Sequence, residues 1–241
     1  MGSAKFVTLQ LARFDGLRKA GALEGEVPDG VLFCAVGSDW RAAGSDFMGQ
    51  ESFVFLILGL HATLEAAHAF VAERSRIAPW LSEARERYEA VLEPYRHKGE
   101  VNFLNREAPG LLFESLGEAV GSEEPFVAIT SVGWNLGPGM DMDKVREFSN
   151  GVSAVRMSMT GMAGLHSQQT FGLSKGLEND PVTVTFWKDD AAARQFAYGP
   201  AVHKLQMDKY RMHDLADRTS FTRCRVVESV GTWYGRDPQV F

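Results

Sequence analysis

Thr63-Leu64-Glu65-Ala66-Ala67-His68-Ala69-Phe70 and Asp189-Asp190-Ala191-Ala192-Ala193-Arg194-Gln195-Phe196 lie 126 residues apart and read as two copies of one element. Each opens on a side-chain oxygen able to cap a helix and continues in Ala-rich sequence that propagates one. Each carries a Phe seven residues after its cap, at the same helical angle. Each follows a short run of apolar or β-branched residues, Phe53–Leu60 in the first case and Val182–Trp187 in the second. The chain therefore reads as two halves built alike.

Outward from that echo, the period of apolar residues predicts strands at Lys5–Ala12, Val31–Val36, Phe53–Leu60 and, more weakly patterned, Val101–Leu104. A second set falls at Phe126–Val132, Gln169–Leu173, Val182–Trp187 and Phe221–Glu228. Helical sequence is expected between the first and second members of each set and again between the third and fourth. The fold class is thus α+β, with two fused ferredoxin-like (β-α-β-β-α-β) halves, residues 1–116 and 117–241. The polar stretch Gly117–Glu124, with two glycines, is the expected join. Two four-stranded sheets, each covered by helices on one face, bury their other faces by closing on each other as a barrel. Two independent domains would leave those faces wet.

Composition narrows the function. Hydrophobic residues make up 45% of the 241 and charged residues 23%, enough apolar material for a core and no bias toward disorder. A net charge of −6, with 25 scattered Lys and Arg, argues against nucleic acid as a partner. Phe53–Leu60 is the longest apolar run, far short of the ~20 residues of a spanning helix, so no transmembrane segment is expected. No secretory signal is visible, and Cys34 and Cys224 are too few for a disulfide scaffold or a cysteine metal cluster. Two buried free thiols in a reducing cytoplasm are the expectation. HExxH, P-loop and GxGxxG patterns are absent, which removes support for zinc hydrolase, NTPase and dinucleotide enzymes.

Among six histidines, His61, His68 and His97 carry the default expectation of surface roles. His166 follows Met157-Ser158-Met159-Thr160-Gly161-Met162, whose thioethers suit either an adaptable apolar pocket or ordinary core filling. His203 opens a helix just after Tyr198-Gly199-Pro200, where proline fits the first turn. His203, Met207 and Tyr210 fall on one helical stripe; Val202, Leu205 and Met212 form the neighbouring apolar stripe, expected to pack on the sheet. A flat apolar ligand could lie along the first stripe, though a histidine so placed is also commonly structural.

A family resemblance enters in the C-terminal third. Val182-Thr183-Val184-Thr185-Phe186-Trp187-Lys188-Asp189-Asp190 leads through Gln195-Phe196-Ala197-Tyr198-Gly199-Pro200 to His203. After nineteen intervening residues stands Arg223-Cys224-Arg225-Val226, and Gly231-Thr232-Trp233-Tyr234-Gly235-Arg236-Asp237-Pro238 follows. This ordered set resembles the spheroidene monooxygenase family of carotenoid ketolases. Phe14-Asp15-Gly16-Leu17, Pro125–Thr130 and Phe171-Gly172-Leu173 add to it, and the likeness is sparse between Asp39 and Gly121.

The resemblance implies a dimeric α+β barrel, a fold that also houses haem in chlorite dismutases and aldoxime dehydratases. It implies haem b with His203 as the iron's axial ligand, beside Met207 and Tyr210. Arg223 and Arg225 would serve a haem propionate or an iron-bound oxygen, or else form structural salt bridges. His166 and Gln169 are nominated for the open side of the iron as proton donors, with Arg223. The implied activity is haem-dependent oxygenation of an apolar or natural-product small molecule. One alternative is haem chemistry on an N-oxygenated substrate, by dehydration or N–N bond formation; another is a haem-free binding barrel. An electron donor is a partner the first activity would need, and an exposed sheet edge would allow a homodimer.

Overall fold

The computed structural model describes residues 3–19, 21–24, 26–39, 51–99, 112–113, 123–133, 141–175, 178–199, 201–213 and 218–241. Ten strands occur among them: β1 (Ser3–Ala4), β2 (Phe6–Lys19), β3 (Val31–Asp39), β4 (Glu51–His61), β5 (Glu86–Gly99), β6 (Leu112–Phe113), β7 (Phe126–Gly133), β8 (Leu165–Lys175), β9 (Glu178–Trp187) and β10 (Arg218–Gly231). The helices are α1 (Leu64–Ala72), α2 (Arg74–Ile77), α3 (Met142–Ser158), α4 (Asp190–Tyr198) and α5 (Ala201–His213), with a 3-10 turn at Pro79–Glu83.

Eight strands close a wholly antiparallel barrel in the order β10-β5-β2-β4-β3-β8-β9-β7, while β1 and β6 form a small parallel pair. Within residues 6–99 the order is β5-β2-β4-β3 and within 126–231 it is β10-β7-β9-β8, so each half places its strands alike. The two echoed segments are helices α1 and α4. Thr63 Oγ1 accepts from Ala66 N at 3.2 Å and Asp189 Oδ1 from Ala192 N at 2.7 Å, each satisfying an orphan donor of the first turn.

Strand parity fills the interior. Leu56, Leu58 and Leu60 of β4 point inward with Leu9 and Leu11 of β2 and Val184 and Phe186 of β9, in one apolar cluster. Phe55 and Ile57, on the other face of β4, join Phe70, Ile77 and Leu81 under α1 and α2. Phe126, Trp187, Met159 and Ala193 form a third cluster on the outer face of the C-terminal half. After β10 the chain turns at Gly231, whose φ of +98° and close approach to the Arg87 carbonyl exclude a side chain, and the following residues cap the barrel end. Trp233 is buried in the barrel cluster as the plug.

Several expectations need correction. The fourth strand of the N-terminal half is Glu86–Gly99; Val101–Leu104 lies outside the described residues, as does most of the expected join at 117–122. Tyr88, Ala90 and Leu92 of β5 point inward, with Glu86 on the same face at the barrel end, while Glu89 and Glu93 point outward; all three glutamates are buried with ion-pair partners. No helix occurs among the described residues between β2 and β3, so the expected first crossover helix of that half is missing, whereas α3 fills the matching position between β7 and β8. Eight strands closed into a ring leave no barrel edge for a homodimer to pair with, which removes the physical ground on which one was expected. His61 is buried, not at the surface. Of the thiols, Cys224 is buried and Cys34 half-buried, and neither is in a disulfide among the described residues.

Candidate functional site

The helix-covered faces of the two halves differ. In the N-terminal half α1 lies directly on β2, β3 and β4, and the residues beneath it are sealed: Gln10 is 2% exposed and Ile57 1%. In the C-terminal half α3 and α5 approach each other and no strand as closely, among the described residues. The α3–α5 contact is tight: a Cβ on Gly151 would stand 2.3 Å from Gln206 Oε1. The sheet below is correspondingly open, with Thr130 and Thr183 on central strands only half-buried and Phe221 37% exposed. Val155 and Met159 seat the C-terminal end of α3 on the sheet, so the gap is the exposed outer surface at Thr130, Thr183 and Phe221 on the α5 side.

His203 stands on α5 at one end of that gap. Its Nδ1 lies 2.9 Å from the Ala197 carbonyl oxygen, so Nδ1–H donates there and Nε2 keeps its lone pair. Its ring packs on Phe196 (centroids 4.6 Å apart), and Phe196 packs in turn on Trp187 at 5.7 Å. Trp187 is fixed by donating from Nε1 to Thr185 Oγ1 at 2.8 Å. At the far end of the stripe Tyr210 Oη lies 3.5 Å from Thr219 Oγ1 of β10, and Met207 between them is 40% exposed. The His203/Met207/Tyr210 stripe thus faces the sheet. The neighbouring stripe does not: Leu205 and Met212 are exposed to solvent, contrary to expectation, and the side chain of Val202 lies outside the description.

Arg223 and Arg225 both point outward, since Cys224 between them is in the barrel interior. Arg223 pairs with Asp190 at the start of α4 and lies between the rings of Phe126 and Phe221, at 5.3 and 5.4 Å. Burial lowers its affinity for a proton from the ordinary arginine range. Arg225 pairs with Glu93. Each guanidinium is engaged by a carboxylate, the salt-bridge arrangement that the sequence left open, and a propionate would have to compete with Asp190 or Glu93.

His166 and Gln169 are elsewhere. Gln169 opposes Val184 in the β8–β9 register and so points into the barrel. His166 sits at a register shift in β8, with Nε2 donating to the Trp233 carbonyl at 2.9 Å. Both belong to a network at the capped barrel end. Gln169 donates to Asp39, and Tyr234 Oη donates to Gln169 Oε1 at 3.1 Å. The Arg13 guanidinium lies 5.2 Å from the Tyr234 ring and 2.8 Å from Glu86. The sheet separates them from His203, so the structure does not bring the nominated pair to the gap.

The groups that do face the gap from below are threonines. Thr170, Thr183 and Thr130 are adjacent on β8, β9 and β7 by register, with Phe221 next on β10. Sequence reading missed them because threonine in a strand needs no function; their shared outward parity with Trp187 and Phe126 was the available signal.

Whether these residues suit a porphyrin can be tested on the geometry alone. An imidazole with one nitrogen anchored to a backbone carbonyl and the other unpartnered among the described residues is the donor that haem iron takes. Apolar walls from Met207, Phe221 and Phe196 suit the ring. The residues fit. No group of three or more His, Cys, Asp or Glu among the described residues could hold a bare metal ion, and no described helix is long and apolar enough to cross a membrane.

No family model matches this chain, and no curated protein does. Solved structures do. An aldoxime dehydratase superposes with a TM-score of 0.60 at 10% identity, over 92% of this chain and 82% of that one. A second, aldoxime dehydratase OxdRE in complex with butyraldoxime, gives 0.57 at 10% identity, over 92% and 80%. An anthrone oxidase-like protein aligns over 95% of this chain and 93% of that one, at 12% identity and a TM-score of only 0.33. At such identities the likeness is one of fold alone, a mixed α+β barrel like the one described above.

Proposed function

We propose that this chain is a haem-type enzyme that binds haem b between α5 and the outer face of the C-terminal sheet, with His203 as axial ligand and a small molecule as substrate. One observation carries the reading: His203 has Nδ1 tied to the Ala197 carbonyl and Nε2 without a described partner, on a helix that stands off an open sheet. Haem held there supplies a redox-active iron able to activate oxygen or peroxide.

The chain's own residues do the rest. The Ala197 carbonyl fixes the tautomer and tilt of the imidazole. Phe196, backed by Trp187, keeps the ring from rotating. Met207 and Phe221 offer exposed apolar surface that a bound porphyrin would cover. Tyr210, close to Thr219, closes the far end with a hydroxyl. Arg223, held by Asp190 beside Phe221, places a buried positive charge at the sheet.

Oxygenation of an apolar substrate, as in a monooxygenase, is the first reading, supported by the apolar walls and by the carotenoid-ketolase resemblance of residues 182–238. A second reading, dehydration or N–N bond formation on an N-oxygenated substrate, is supported by the fold likeness to aldoxime dehydratases. The architecture is read as two fused ferredoxin-like halves, residues 1–116 and 117–241, supported by their common strand order. Titration of the purified protein with haemin tests the cofactor: a Soret band saturating at one haem per chain is expected, and no band would end both readings. Turnover of an identified substrate without oxygen or peroxide would reject the first and favour the second.

A further inference from the structure

The floor of the gap differs from its counterpart in the N-terminal half at the level of single residues. Thr183 occupies the position that Ile57 holds 126 residues earlier, and Ile57 is sealed under α1. A β-branched residue that only had to pack would serve as well without a hydroxyl. Instead three hydroxyls stand side by side: Thr170 Oγ1 and Thr183 Oγ1 are 2.9 Å apart, and Thr130 follows on the next strand. The Thr170–Thr183 contact uses one proton of the two and leaves the other free. Thr130 has no described hydrogen-bond partner and is half-buried, so its hydroxyl is reachable from the gap. The row runs from sealed to open, from buried Thr170 through Thr183 and Thr130 to Phe221.

We propose that Thr130, supported by the Thr183–Thr170 pair, is the hydrogen-bond donor that receives an acceptor oxygen of the molecule bound between α5 and the sheet, so that the substrate is an apolar molecule with a ketone-like or N–O oxygen. This rests on the haem-type reading of the same gap and assigns its polar wall to threonines, in place of His166 and Gln169. The donor is neutral, which suits a neutral oxygen; a carboxylate would bring a buried charge to a wall beside which Arg223 is already paired with Asp190. Phe221, opposite Thr130 on β10, gives the oxygen an apolar neighbour beside which one hydrogen bond decides orientation.

The test compares wild type with Thr130→Val, which keeps the shape and removes the hydroxyl, and Thr130→Ser, which restores it. Acetophenone, an apolar ketone, is titrated calorimetrically into each. Loss of one neutral hydrogen bond of about 1 kcal/mol predicts about fivefold weaker binding to Thr130→Val and wild-type affinity in Thr130→Ser. With haem bound and reduced under carbon monoxide, the C–O stretch should move to higher wavenumber in Thr130→Val alone, because a donor near the oxygen is gone. Equal affinity and an equal stretch in all three proteins, each melting at the wild-type temperature, would overturn the proposal. Wild type that binds no acetophenone would overturn it too. If wild type shows no Soret band while the acetophenone difference persists, the haem reading fails and the threonine wall stands.

Discussion

Gly59→Ala probes the contrast on which the location of the site depends, a sealed helix-covered face in one half and an open one in the other. Gly59 lies on β4 opposite Thr8, and a Cβ built there would stand 2.4 Å from Thr8 Oγ1 and 2.8 Å from His61 Nε2. Those two atoms are hydrogen-bonded to each other at 2.9 Å, and both residues are fully buried. The methyl group cannot enter without parting them. Overpacking costs roughly 1–3 kcal/mol, and loss of the buried hydrogen bond adds about 1 kcal/mol. A total of about 2–4 kcal/mol corresponds to a fall in melting temperature of about 5–15 °C for a chain of this size. Gly16→Ala is the control, since nothing lies within 4 Å of a Cβ at that position. Calorimetric melting of the three proteins checks the expectation. Wild-type stability in Gly59→Ala would mean that the N-terminal face has room after all, and the argument from unequal faces would fail.

Other perturbations read other parts of the structure. Burial holds His61 at about 4, below its ordinary 6.5, so the unfolded chain takes up the proton first and stability drops as pH falls from 6.5 toward 4. Between pH 7 and pH 5 this amounts to about 2 kcal/mol, and urea unfolding of His61→Asn should show a pH dependence smaller by that amount; an unchanged dependence would contradict it. Trp233→Ala, which unplugs the barrel end, should cost about 3–5 kcal/mol in denaturant unfolding. Arg223→Ala leaves Asp190 still paired with the more exposed Arg194 and should cost about 2 kcal/mol. Arg225→Ala leaves Glu93, whose side chain is only 10% exposed, with no other ion pair among the described residues and should cost about 3 kcal/mol; a smaller loss than in Arg223→Ala would refute the ranking.

The echo at Thr63 and Asp189 was legible because a capped, Ala-rich helix announces itself locally, and strands such as Phe53–Leu60 because both of their faces are buried. β5 was hidden: its outward glutamates break the apolar pattern, and Pro94 sits at a register shift that sequence alone reads as a break. On α5, choosing the more apolar stripe for the sheet picked Leu205 and Met212, yet the stripe that faces the sheet is the one carrying His203, Met207 and Tyr210. A surface built to receive a ligand need not be the most apolar one. For β8, parity with Phe171 and Leu173 already placed Gln169 inside the barrel, but which face looked at His203 depended on where α5 docks, a long-range fact.

Haem titration of wild type and His203→Ala, run side by side and followed by visible absorption, tests the central assignment most directly. The account predicts a saturating Soret band in wild type and its loss, or a weak and shifted band partly restored by free imidazole, in the variant. Identical spectra from the two proteins would show that the iron is held by some other group and would contradict the account.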